Sequence, residues 1–111
     1  MGNPIIFKIA SKTNSRCFYC NKQAQVVEHF IPKRYLRENN VDTNLFWNLL
    51  PACVPCNAHK SGKYPDDFYH SYKMWDRLDR INKKFGFTPL MVKNGRPSYI
   101  TSDKAWELLF V

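Results

Sequence analysis

Four cysteines in two C-x2-C pairs, Cys17/Cys20 and Cys53/Cys56, are the residues whose type and spacing point most directly to chemistry. A C-x2-C turn aims two thiolates at one ion without strain, and two such turns complete the tetrahedral four-sulfur shell that zinc prefers. A closed shell leaves no open coordination position. The expected Zn2+ is therefore structural, contributing on the order of 10 kcal/mol to folding as in zinc-finger peptides. Between the pairs lie 32 residues, 21–52, which is unlike a compact zinc ribbon, so something is folded inside the clamp. That segment carries Glu28, His29 and Asn48, and Asn57, His59 and Lys60 follow the last cysteine. These residue types hold metal ions, move protons or grip phosphate.

Length and charge set the frame. At 111 residues the chain is expected to fold as one domain, 1–111, with a core modest enough for a bound metal to supply much of the stability. The formal charge of +8 suggests a polyanion partner, because clustered Lys and Arg neutralise phosphates and release condensed counterions; a merely solvated basic surface is the alternative. The opening Met1-Gly2-Asn3-Pro4 lacks the basic and long apolar regions of a secretion signal, and no apolar run approaches the ~18 residues that span a membrane. A cytoplasmic, reducing compartment without a membrane partner is the expectation, and there paired cysteines favour metal over disulfides. Phe7 stands where a myristoylation signal wants Ser or Thr, which argues against lipidation.

The elements that must position these residues are legible in outline. Gln25 to Pro32 is rich in β-branched and aromatic residues and ends at a proline, which predicts a strand. Lys33 to Asn44 is polar, a loop with a short helix around Arg34 to Glu38. Leu45 to Pro51 supplies either the second strand or the turn into it. A helical pattern runs from Asn57 to about Lys63. Asp66 and Asp67 then suit a helix N-terminus, and Phe68, Tyr72, Trp75, Leu78, Ile81 or Asn82, and Phe85 recur at steps of three and four up to Gly86. The other side of that helix, with Arg77 and Arg80 among its cations, reads as a solvated face. Leu90-Met91-Val92 and Ser98-Tyr99-Ile100 are set to pair across Asn94-Gly95, and Ser102 is set to cap a terminal helix. The apolar patch over residues 4–10 fits a short strand or a helix equally.

The order E-H-F-I-P, then Asn48, then C-x2-C-N-x2-K resembles the HNH endonuclease family, the ββα-metal (His-Me finger) nucleases, in their zinc-bearing subgroup. The match covers residues 17–63, and residues 64–111 form a helical extension outside it. The resemblance implies an α+β fold with a small ββα-metal core, a structural four-cysteine zinc site and additional C-terminal helices. It makes His29 the general base and Asn48 the residue that braces the loop and orients that base. It places Glu28 where the family has an Asp that helps bind a catalytic divalent ion, one methylene longer here, and Asn57 at the second ligand position. Lys60 and Lys63 match the trailing basic residue that holds backbone phosphate, with His59 a second-choice ligand or phosphate contact. Lys33, Arg34 and Arg37 add backbone contacts to DNA, which the family cuts to 5′-phosphate and 3′-hydroxyl ends.

The residue types suit that chemistry on their own account. Phosphodiester hydrolysis needs a base for water and stabilisation of charge on phosphate and on the departing oxygen. A neutral imidazole with an ordinary pKa of about 6.5 accepts a proton near pH 7. Mg2+, or another divalent ion such as Mn2+ or Ni2+, prefers oxygen donors such as Glu28 and Asn57 and acts as a Lewis acid. No residue is identified that reads bases, so targeting falls to a protein partner or a missing domain if it is specific. Two other classes stand beside the enzyme: a zinc-stabilised nucleic-acid-binding module without catalysis, and a protein-interaction module docking through Trp47, Trp75 and the Trp106-Leu108-Phe110 surface.

Overall fold

Strand β1 (Val26–His29) pairs antiparallel with β2 (Leu49–Ala52), placing Val26 opposite Ala52 and His29 opposite Leu49. The computed structural model describes residues 8–38, 45–63, 65–68, 73–89, 91–93 and 96–99. Alternation along β1 sends Glu28 inward, whereas every residue of β2 is buried. Pro51 is tolerated within β2 because a two-stranded ladder leaves each strand a side without a donor requirement. Its carbonyl accepts from the Phe18 N–H at 2.9 Å, which lays the first cysteine turn alongside the hairpin. The stretch 45–51 provides both alternatives read from it: a 3-10 turn at Phe46–Asn48 and then the strand.

Helix α1 (Lys33–Glu38) follows Pro32, and α2 (Val54–Lys60) leaves β2 after the single residue Cys53. The helical pattern predicted α2 from Asn57 to Lys63; instead it begins inside the second cysteine pair. The cause is capping: the Cys53 sulfur accepts the Cys56 N–H at 3.4 Å, and Pro55 lies in the first turn, where its missing donor costs nothing. Ser61, at φ 49°, ends it. Within the span predicted as one helix lie α3 (Pro65–Phe68) and α4 (Lys73–Lys84). Gly86, at φ 84°, closes α4 with Gly86 N–H to Lys83 O at 3.1 Å and Phe87 N–H to Asn82 O at 3.0 Å, the paired bonds of a Schellman cap. A second antiparallel hairpin joins β3 (Met91–Lys93) to β4 (Arg96–Ser98). The fold is thus a small α+β arrangement of helices and two-stranded sheets. Residues 8–10 are helical; the rest of the N-terminal patch and the helix expected after Ser102 fall outside the described residues. Among the described residues no helix is long and apolar enough to cross a membrane.

The core is an aromatic chain. Phe18 meets Phe30 edge-to-face with centroids 5.7 Å apart, and Phe30 meets Trp75 at 5.0 Å, geometries that align ring edges with ring faces. Trp47 and Trp75, considered above as part of a docking surface, are 4% and 1% exposed and belong to this core. Trp47 stacks on Tyr99, whose hydroxyl donates to Asp79 at 3.0 Å and so ties the second hairpin to α4. Arg77 also departs from expectation. Its guanidinium donates to the Phe18 carbonyl at 2.6 Å, so α4 holds the first cysteine turn from behind.

Lys12 is buried and donates to the carbonyls of Phe46, at 2.5 Å, and Leu49, at 2.8 Å, with its ammonium 4.1 Å from the Phe46 ring centroid. Burial lowers its pKa from 10.5 to about 7. Between those values the unfolded chain holds a proton that the native protein releases, so this group makes stability rise as pH rises from about 7 to 10.5. Its share is lost as pH falls back through the folded pKa. In urea unfolding of the metal-loaded protein, Lys12→Met should flatten the slope by up to ~1.4 kcal/mol per pH unit across that window.

Candidate functional site

The sulfurs of Cys17, Cys20, Cys53 and Cys56 all lie within 4.8 Å of one another, and those of Cys20 and Cys53 are 3.5 Å apart. A zinc ion at about 2.3 Å from each sulfur needs sulfur–sulfur edges of about 3.8 Å, so the cluster is compatible with a structural metal such as zinc. Two local devices bring the pairs together. The Cys17 N–H bonds the Lys22 carbonyl at 2.6 Å around Asn21 in a left-handed conformation, and the second pair opens α2. All four thiols are free of disulfides. Burial first, then the neighbouring sulfurs of Cys53 and Cys20, push the Cys56 thiol up. Among the described residues this is the one cluster of Cys, His, Asp and Glu suited to an ion.

Behind the cluster runs a buried polar chain. The Tyr19 hydroxyl, inside the first cysteine turn, donates to Glu28 Oε2 at 2.5 Å, and Lys60 Nζ lies 2.5 Å from Glu28 Oε1. The Lys60 ammonium also donates to the His29 carbonyl at 2.8 Å. Burial pushes the Glu28 carboxyl up and the Lys60 ammonium down, each against the attraction of the other charge. Tyr19 is pushed well up, by burial and then by the Glu28 charge.

Two sequence expectations change as a result. Lys60 was expected on the surface at a phosphate, yet it is fully buried, because its position on α2 turns it under β1 toward Glu28. Glu28 was expected to hold a catalytic ion, yet both carboxylate oxygens are engaged within the protein and the residue is 4% exposed. The Glu28–Asn57 ligand pair therefore does not fit an ion in the cleft.

Asn48 stands where the bracing residue was expected. Its amide forms a two-bond grip on Ile31, accepting the Ile31 N–H at 2.8 Å and donating to the Ile31 carbonyl at 3.0 Å, while its own carbonyl accepts the Phe30 N–H at 2.9 Å. The turn leaving β1 is thereby fixed directly after His29.

His29, Asn57, Lys33, Arg34 and Arg37 meet around one cleft of about 360 Å³, with Ser61 and Gly62 at its edge and Val27 and Pro32 among its lining. Glu28 borders it as well. The strand supplies the imidazole, α1 the three cations and α2 the amide. His59 and Lys63 are exposed but are not among the lining residues. Sequence reading missed Tyr19, Ser61 and Gly62. Strand alternation hints that Glu28 and His29 face opposite ways, but nothing local joins Tyr19 to Glu28, which are brought together across the hairpin. Neither the models of known protein families nor the curated proteins match this chain.

Mass spectrometry under native conditions should find about one zinc per chain, and Cys53→Ser should abolish both zinc retention and the cooperative unfolding transition. Asn48→Ala strands the N–H and carbonyl of Ile31; it should cost about 2–4 kcal/mol in urea unfolding while zinc stays bound.

Proposed function

We propose that this protein is a metal-dependent HNH-type endonuclease that hydrolyses phosphodiester bonds of double-stranded DNA to 5′-phosphate and 3′-hydroxyl ends. The observation that carries the reading is the meeting of His29 and Asn57 with three cations of one short helix around a single cleft. Together with the resemblance of residues 17–63, it supports a phosphate substrate and a base beside it.

His29 takes the proton of a water in the cleft through Nδ1, its Nε2 being buried. The water oxygen bonds to phosphorus, the bond to the 3′ oxygen breaks, and that oxygen leaves with a proton from solvent. Lys33, Arg34 and Arg37 neutralise the nonbridging oxygens, and the planar guanidinium fork matches phosphate geometry in two bonds. Asn48 preserves the aim of the base through the turn it grips. Asn57 would be the oxygen ligand left at the cleft for a divalent ion, which would supply Lewis-acid charge at the phosphate.

The same engagement of Glu28 favours a second reading, a zinc-stabilised nucleic-acid-binding module without catalysis. Sequence preference in either case is low, or comes from a protein partner or a further domain. Plasmid nicking with Mg2+, Mn2+ or Ni2+ separates the two. Wild type should nick, and His29→Ala should be slower by at least ~100-fold while still shifting DNA in a gel. Arg34→Ala or Arg37→Ala should weaken DNA binding and lower the salt slope by about 1. Equal nicking by wild type and His29→Ala removes His29 as the base; binding without nicking in any of the metals selects the second reading.

A further inference from the structure

The peptide unit joining His29 to Phe30 is held from both sides. Its carbonyl accepts from Lys60 Nζ at 2.8 Å, and its N–H donates to the Asn48 carbonyl at 2.9 Å. Lys60 is in turn anchored by Glu28 at 2.5 Å, and Glu28 by the Tyr19 hydroxyl at 2.5 Å. Tyr19 sits between Cys17 and Cys20, and its ring is wedged edge-to-face against Phe18, at 5.1 Å, and Phe68, at 5.2 Å. A continuous set of short contacts thus runs from the cysteine cluster to the main chain of the cleft imidazole.

We infer that Tyr19, Glu28 and Lys60 are positioning residues that clamp the His29–Phe30 peptide to the cysteine cluster, and that neither Glu28 nor Lys60 touches phosphate or a catalytic ion. Three facts support this. Lys60 has no exposed surface with which to reach a polyanion. Both Glu28 oxygens already have partners inside the protein, and at 4% exposure the residue has little surface to offer an ion in the cleft. An ammonium this deeply buried is retained only where its donors are satisfied, and the partners are Glu28 and the His29 carbonyl. In its catalytic consequence the inference rests on His29 as the base, but the clamp itself can be tested without turnover.

The test uses the zinc-loaded full chain and four variants: Glu28→Gln, Glu28→Asp, Tyr19→Phe, and the double variant Glu28→Leu with Lys60→Met, which removes both buried charges together and so avoids stranding one. Hydrogen exchange at the Phe30 amide reads the clamp, titration with Mn2+ reads ion binding, and nicking kinetics read catalysis. In the double variant, Phe30 exchange should quicken at least ~10-fold relative to the Leu78 amide in α4, with zinc retained at one per chain. If that variant loses zinc, Tyr19→Phe replaces it, with a ~3-fold quickening expected. Glu28→Gln should leave the Mn2+ affinity within two-fold and, where wild type nicks, lower kcat with KM unchanged, without rescue by Glu28→Asp, whose arm is one methylene short of Lys60. Unchanged Phe30 exchange overturns the clamp. A ten-fold or greater loss of Mn2+ affinity in Glu28→Gln, or rescue by Glu28→Asp, makes Glu28 an ion ligand instead. Failure of wild type to nick counts against the nuclease alone, since the exchange result still decides the clamp.

Discussion

Four sulfurs converging on one point constrain everything else in this molecule. Cys17 and Cys20 approach the hairpin from one side, while Cys53 and Cys56 lie at its exit into α2, so closing the cluster fixes where β1, β2 and α2 sit relative to each other. In a chain of 111 residues a hydrophobic core supplies only modest stability, and a cation that drew four thiolates together would have a disproportionate effect. The same convergence lays Phe18 against Pro51 and starts the aromatic chain through Phe30 to Trp75.

From that constraint follows an unusual use of charge. A chain with a net charge of +8 has cations to spare for its surface, yet two of them, Lys12 and Lys60, are buried. Each ties together elements distant in sequence: Lys12 reaches the carbonyls at the turn into β2, and Lys60 joins α2 to β1. A long side chain with several donors can bridge backbone groups that no apolar residue would satisfy, which offsets part of the desolvation cost. The cations left facing solvent on α1 then concentrate at the cleft.

Much of the cleft is organised by main-chain contacts. The imidazole is presented by a strand whose last peptide is held by Lys60 and Asn48, and the following residue by the Asn48 amide. Such support fixes a side chain by removing the freedom of its backbone.

What the sequence alone determined is whatever depends on local spacing. C-x2-C turns, β-branched runs, the Gly86 stop and the Asn94-Gly95 hairpin signal are short-range features, and cysteine spacing, strand, α4 core face and second hairpin were legible from them. His29, Asn48 and Asn57 were legible too, as an ordered pattern rather than as a geometry. Only the tertiary structure decided where the long polar side chains go. Glu28 and Lys60 lie 32 positions apart and look like a ligand and a surface cation, and Arg77 looks like part of a solvated face. A flexible charged side chain can reach solvent or an internal partner with little difference in local preference, and the packing of distant elements settles which.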